Sequence, residues 1–537
     1  MTRVVETDVC VIGAGITGAM LVAKLAEERD VRIAVVEAGG RPPPLSDRAR
    51  LRDRYLAYGE NCWPGDHLDG HTVFGRPHGF SPSHVVGGLA MHWGAVTPRF
   101  TPEDFRVRSE HGIGDDWPLD YADLDPAYQE AEERMGVSGD RAPPGLEART
   151  GHYPMPGIPL TYNLERLKEW GERSGTPFWG MPSAKNSEPY GGRAACCRSE
   201  TCWPICPVAA KYSPELTFDA LERAGRLELI TGTLVRRLHP AGDSDLVEWA
   251  EARELTAPDE VVELRARSFV VAAGYVWSPH LLLLSASDRF PAGLANRSGL
   301  VGKYLAGHRG VNAFVDVPFE VYPGMNGQHS LLSQHFMRTG AGPRYLRHDF
   351  RIWESGVGKG PRVRDDDGRL LLGDEILDDW RARTSGRGTA RLRAYYDVLP
   401  ARSSEVTLHA SSTNPWDDPL PVVSFADSPE SAALREYSET TIEARFRELV
   451  HAGGGEVMSV RPSDAKEHPG GGCRMGADPA TSVVDSHGRS HDHENLFVVG
   501  APTFVTAGCT NGTLTMAALG IRAAAELGRE FAVRAPA

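Results

Sequence analysis

The sequence predicts an α/β fold, α+β overall, in which a parallel-sheet domain is interleaved with an antiparallel-sheet domain. Three observations predict it. A short apolar strand near the start runs straight into a Gly-x-Gly-x-x-Gly turn. Buried-strand patterns recur in the middle and at the end of the chain. Between them, residues 311–460 alternate polar and apolar positions among many turn residues.

The opening unit is Thr7-Asp-Val-Cys-Val-Ile12, a strand, followed by Gly13-Ala-Gly15-Ile-Thr-Gly18 and an amphipathic helix to about Glu28. A second strand, Val31 to Val36, ends at Glu37, which completes a Rossmann-like βαβ unit. In this reading Gly13 permits the tight turn, Gly15 lets a pyrophosphate approach the backbone and Gly18 lets helix and strand pack closely. The helix N-terminus faces the phosphates, and Glu37 accepts from ribose hydroxyls. Arg267 to Gly274 reads as a buried strand ending in glycine, with a helix starting at Ser278-Pro279. Asn495 to Gly500 is another buried strand, and an apolar helix runs from Thr513 to about Leu527. These strands are expected to share one sheet, whereas Tyr395-Tyr-Asp-Val-Leu-Pro400 and Glu405-Val-Thr-Leu-His409 suggest a separate antiparallel sheet. The expected division assigns residues 1–105, 190–310 and 461–537 to the dinucleotide-binding domain, with a Cys-rich loop at 196–207. Residues 106–189 and 311–460 form the substrate-binding domain and cap segments.

Composition bounds the function. A chain of 537 residues with ordinary apolar and charged fractions can bury a cofactor, and none of its segments approaches eighteen uninterrupted apolar residues. No signal peptide precedes the first strand, so a cytoplasmic location is expected, with export only if a partner subunit carries the chain. The formal charge of −14 argues against nucleic acid and is compatible with a cationic substrate. Eight cysteines in a chain of this size do not describe a disulfide scaffold.

Four of those cysteines crowd into Cys196-Cys197-Arg-Ser-Glu-Thr-Cys202-Trp-Pro-Ile-Cys206-Pro207. Three readings compete. The spacing departs from the cysteine pairs of structural zinc sites. Free thiols or a disulfide would make the run merely structural. An iron-sulfur cluster needs several thiolates on one loop, and the final Cys-Pro resembles the end of ferredoxin runs. Adjacent side chains diverge, so one cluster does not take both Cys196 and Cys197.

Two later segments put a polar side chain on a glycine-rich turn: Glu467-His468-Pro-Gly-Gly-Gly-Cys473-Arg-Met-Gly476 and Thr510-Asn511-Gly-Thr513-Leu-Thr515. A histidine near neutral pKa suits removal of a hydroxyl proton while a hydride leaves the same carbon, and an asparagine beside it can orient the alcohol.

Together with Val86-Gly87-Gly88-Leu-Ala-Met-His92-Trp93 and Gly274 with Ser278-Pro279, these motifs resemble the glucose-methanol-choline (GMC) oxidoreductases over nearly the whole chain. Asp116-Trp-Pro-Leu-Asp-Tyr-Ala-Asp-Leu-Asp-Pro-Ala-Tyr128, Tyr153-Pro-Met-Pro-Gly-Ile-Pro-Leu160 and the cysteine run bring it nearest to the iron-sulfur-containing catalytic subunits of bacterial FAD-dependent glucose and related sugar dehydrogenases. The resemblance implies FAD, His468 as base and Asn511 as its partner. It further implies cofactor contacts at Gly13, Gly15, Gly18, Glu37, Gly87, Gly88, His92, Val235, Ala501 and Thr513. Cys196, Cys202 and Cys206 would ligate a 3Fe-4S cluster passing electrons to an external acceptor, commonly a cytochrome subunit, and a small chaperone-like subunit is a further implied partner. Pyranose 2-oxidases share the Gly-Gly-x-x-x-His-Trp stretch and attach FAD covalently there, whereas the sugar dehydrogenases do not, so non-covalent FAD beside His92 is expected. The substrate implied is a sugar, glycoside or polyol. An oxygen-using oxidase of a biosynthetic pathway and a non-catalytic electron-transfer module are the rival readings. Two segments depart from the family pattern: residues 321–395, and Gly470-Gly-Gly-Cys473-Arg474.

Overall fold

The structure, a computed structural model, describes residues 2–28, 30–63, 68–75, 83–199, 201–322, 329–338, 345–354, 361–365, 367–384 and 388–533. The first sheet has seven strands. Parallel to one another lie Glu228–Ile230, Ile33–Val36, Thr2–Ile12 and Ala257–Val271, with Leu496–Val498 paired in parallel to the end of the last. Strands from the beginning, middle and end of the chain therefore share one sheet, as the sequence predicts.

Ala257–Val271 does two jobs. Its first half forms an antiparallel meander with Val247–Glu254 and Thr233–Pro240, and its second half enters the parallel layer. The opening strand follows it and is longer than predicted, Thr2–Ile12 rather than from Thr7. Its early residues alternate in exposure beside the meander, whereas Val9, Cys10 and Val11 are wholly buried. A strand covered on both faces reads as a continuous apolar run, and a one-sided strand as a weaker alternation.

Helices Ile16–Glu28 and Thr513–Val533 cover this sheet, so close together that a Cβ on Gly520 would lie 2.7 Å from the Thr17 carbonyl oxygen. The helix expected at Ser278 begins earlier, spanning Gly274–Leu284, and Pro279 lies inside it. Proline sacrifices only one early hydrogen bond there.

The second sheet has six antiparallel strands in the order Glu456–Gly470, Ala306–Val317, Gly388–Tyr396, Phe350–Glu354, Leu331–Ser333 and Trp179–Gly180. One face, with Val311, Ala313, Val315, Leu392 and Ala394, packs on Leu167 and Trp170 of helix Tyr162–Glu172 and on Phe446 and Leu449 of helix Pro429–Ala452. Burying each larger side chain there contributes about 1.5–3 kcal/mol. Glu405–Thr413, expected beside Tyr395, instead pairs with Pro419–Ser424 as a separate two-stranded sheet. The strands Ala306–Val317 and Glu456–Gly470 both run across the expected domain boundaries at 310 and 461. Their ends carry His308, paired with Glu467, and the adjacent His468.

Candidate active site

The glycines of the opening turn act differently. Gly13 has φ +103°, and a Cβ there would lie 2.8 Å from the Ala272 carbonyl oxygen; on Gly18 it would lie 2.7 Å from the Gly13 oxygen. Both are required by packing. A Cβ on Gly15 would meet nothing within 4 Å, so its space faces outward over the helix N-terminus. That cradle fits a pyrophosphate, which needs open backbone N–H groups at a helix start. Glu37 completes it: its carboxylate accepts from the Ala14 and Gly39 N–H groups, each at 2.9 Å, while burial raises its pKa. The residues present thus fit the adenosine diphosphate part of FAD.

Of the remaining expected cofactor residues, Gly87 and Gly88 adjoin this cradle. Gly87 N–H donates to the Ala14 carbonyl at 2.8 Å, and a Cβ on Gly88 would lie 3.6 Å from Gly15 Cα. Ala501 opens a buried turn after Leu496–Val498, and Thr513 is the first residue of the last helix. Val235 is half-buried on Thr233–Pro240, whose first residue donates its N–H to the Glu37 carbonyl at 3.0 Å. His92 is half-buried just after the Gly88–Met91 turn, edge-on to Trp63 with ring centroids 6.3 Å apart.

Lys211 ties that segment to the cysteine loop. Its buried ammonium donates to the carbonyls of Met91 and Trp93, each at 3.0 Å, and of Cys202 at 2.7 Å. Burial lowers its pKa to about 8, against the thiols of Cys202 and Cys206, which raise it. All eight cysteines are free thiols, which removes the disulfide reading. Cys202 and Cys206 are buried, Cys196 is half-buried and Cys197 is exposed. Burial pushes the Cys196 thiol up, the Arg198 N–H at 3.4 Å from its Sγ lowers it, and Cys202 and Cys206 raise it further. The three expected ligands thus lie within electrostatic reach of one another. Among the described residues no group of three or more His, Cys, Asp or Glu side chains stands arranged to hold a metal ion.

His468 and Asn511 do come together. Asn511 Nδ2 lies 2.6 Å from His468 Nε2, and His468 Nδ1 lies 2.8 Å from Nε2 of the buried His308. An amide N–H only donates, so the contact leaves the lone pair of His468 on Nε2 and its proton on Nδ1, directed at His308. His468 sits at φ +49°, off the alternation of its strand, a conformation that costs a non-glycine residue about 1–2 kcal/mol. Burial, then the guanidinium groups of Arg351 and Arg393, hold its pKa down at about 3. The ring is therefore neutral at physiological pH and able to accept a proton.

The surroundings of the pair are polar and ordered. Tyr395 packs against His308 with ring centroids 4.3 Å apart, and its hydroxyl donates to Glu467 Oε2 at 2.6 Å. Arg351 and Arg393 flank the Tyr395 ring, at 4.5 and 4.3 Å from its centroid. Arg351 pairs with Asp349 at 2.6 Å and Arg393 pairs with Glu467.

Residues 400–520 match the GMC oxidoreductase profile. The large subunit of fructose dehydrogenase from Gluconobacter japonicus is 30% identical over 558 residues, covering 97% of each chain. The chain belongs to the GMC oxidoreductase family. Paromamine 6'-oxidase of Streptomyces fradiae is also 30% identical, over 96% of this chain and 90% of its own. The solved structure of pyridoxine 4-oxidase from Mesorbium loti shares the fold at a TM-score of 0.65 and 20% identity, with 97% of this chain and 99% of that one aligned. As a GMC oxidoreductase the protein is an FAD-type oxidoreductase, and its relatives include both dehydrogenases and oxidases.

Within this GMC site the sequence reading missed His308, Arg351, Arg393 and Lys211. A period-two signal was present for the first three: the apolar Val311, Ala313 and Val315 assign His308 to the opposite face, and Arg391-Leu-Arg393-Ala-Tyr395 alternates in the same way. Lys211 had no such signal, because its partners are carbonyls distant in sequence.

Proposed function

We propose that this GMC oxidoreductase oxidises a hydroxyl of a sugar, glycoside or polyol to the carbonyl. The observation that carries the reading is the Asn511–His468–His308 chain of contacts, with an unprotonated Nε2 at its working end. When bound, non-covalently in this reading, FAD supplies the acceptor for the hydride from the substrate carbon. His468 Nε2 takes the hydroxyl proton, Asn511 holds the alcohol oxygen in line, and His308 fixes the ring of the base by accepting from Nδ1. Gly13, Gly15, Gly18, Glu37, Gly87, Gly88, Val235, Ala501 and Thr513 would hold the cofactor, with His92 beside its ring. Anaerobic mixing of the flavin-loaded enzyme with a panel of sugars and polyols tests this: bleaching by at least one of them, lost in His468→Ala, is expected. Ordinary bleaching in that variant would remove the assignment.

The electron acceptor is a separate matter. The electrostatic proximity of Cys196 to Cys202 and Cys206 supports a dehydrogenase that hands electrons through a 3Fe-4S cluster to a cytochrome, in company with a small subunit. The family includes oxidases as well, for which oxygen is the rival acceptor. Iron and acid-labile sulfide counts on anaerobically purified protein, together with hydrogen peroxide yield per product, separate the two.

A further inference from the structure

The face of the second sheet opposite the helices carries a band of arginines next to the His468 pair. In antiparallel strands, directly opposed residues share a face. Arg461 opposes Asn312, Asn312 opposes Arg393 and Arg393 opposes Arg351, so one row across four strands holds three arginines and an asparagine. The next row holds Ser459, Phe314, Arg391 and Trp353.

Their partners are unequal. Arg351 and Arg393 have carboxylates, Asp349 and Glu467. Arg391 has none among the described residues: it donates to Asn312 Oδ1 at 3.0 Å and lies over the Trp353 and Phe314 rings, 5.1 and 5.9 Å from their centroids. Arg461 is exposed and has no ionic partner among the described residues. The buried Nε–H groups of Arg391 and Arg393 have no acceptor. Four guanidinium groups thus face two carboxylates, both already committed. Asp316 and Glu456 oppose each other at the far end of the face, which confines the positive region to the two rows between them and the Tyr395 row. This field is opposite in sign to the net charge of the chain.

Guanidinium groups with unused donors, framed by aromatic rings, are the usual holders of a planar or tetrahedral oxyanion. We propose that the substrate of this site is an anionic sugar or polyol, its carboxylate or phosphate held by Arg391, Arg393 and Arg461 while the hydroxyl to be oxidised lies at His468 Nε2. Successive residues on one face of a strand are about 7 Å apart. That step, from the Tyr395 row to the arginine row, matches the length of a hexose-sized molecule. The proposal rests on the sugar or polyol oxidation proposed above and names its substrate class.

The test is anaerobic flavin reduction of the loaded enzyme by glucose, gluconate, glucuronate and glucose 6-phosphate at low ionic strength. At least one anion should outperform glucose by about tenfold or more, with the advantage shrinking as salt is added. Preference for the carboxylates or for the phosphate identifies the group held, and either supports the assignment. Arg391→Gln and Arg461→Gln should each cut the anion-to-glucose ratio about tenfold, with Arg461→Lys keeping part of it. Arg461 is exposed, so its variants fold even if those of Arg391 do not. Anions no better than glucose, or a preference intact in the Arg461 variants, would overturn the proposal and leave sugar oxidation standing. If no sugar or polyol, charged or neutral, bleaches the flavin, the underlying reading falls as well.

Discussion

Asn511 Nδ2 meets His468 Nε2 at 2.6 Å, while the opposite nitrogen of the same ring meets His308 at 2.8 Å. The imidazole is therefore gripped at both ends, and which nitrogen is basic is decided by the neighbours. His468→Ala should slow flavin reduction by about 10²–10⁴-fold, the range for losing a positioned base. His308→Ala removes only the group that fixes the ring, so a smaller loss is expected, with FAD content unchanged. Equal losses in the two variants by stopped-flow would refute this division of labour.

Acid should be tolerated by the chemistry. The base works unprotonated, and its folded pKa lies near 3 against an ordinary 6.5, so activity is lost only as pH falls toward the folded value. With a neutral sugar, kcat/KM should hold its plateau down to about pH 4.5. Arg393→Gln removes one of the two guanidinium groups that repel the proton and leaves Glu467 unneutralised, so the acid limb should move up toward 6.5. A limb already at 6.5 in the wild type would contradict the geometry around Tyr395.

Gly15 and Gly18, three residues apart, should fail differently. Gly15→Ala puts a methyl into open space, so the apoprotein should keep its melting temperature but bind FAD at least tenfold more weakly. Gly18→Ala forces a methyl against the Gly13 carbonyl, and overpacking of this kind costs about 1–3 kcal/mol. Equilibrium unfolding and FAD titration of both variants separate the two effects.

Lys211 should behave as the anchor of the cysteine loop. Lys211→Met leaves the Met91, Trp93 and Cys202 carbonyls without their buried donor, at a cost of about 3 kcal/mol. Alkylation of Cys202 and Cys206 should then be much faster, followed by mass spectrometry of the labelled peptides. Unchanged labelling would mean the loop is held by other contacts.

What the sequence disclosed follows from the range of each interaction. Gly13, Gly15, Gly18 and Glu37 lie within one βαβ unit at fixed spacing, so their arrangement is a local property of the chain. His468 and Asn511 were legible because each stands on a glycine-rich turn that matches a family pattern. His308 has no such setting and is brought to His468 by strand pairing 160 positions away in sequence. The helix Pro429–Ala452 was hidden in a region read as strands, since only one of its faces is buried and that face contains serines as well as Ile442 and Phe446. The sheet to which Glu405–Thr413 belongs depends on the strand it pairs with, which alternation alone does not specify.

The strand Glu456–Gly470 bears Arg461 among the facing guanidinium groups and, seven positions on, His468 beside Asn511. Recognition and proton removal thereby share one strand, whose register shifts between Ser463 and Glu467. Lengthening or shortening it by a single residue between Ser459 and Arg461 would turn Arg461 to the opposite face. New specificities on this scaffold are accordingly reachable by exchanging side chains at the facing positions 312, 391 and 461, whereas loop grafting into this strand would forfeit turnover along with selectivity.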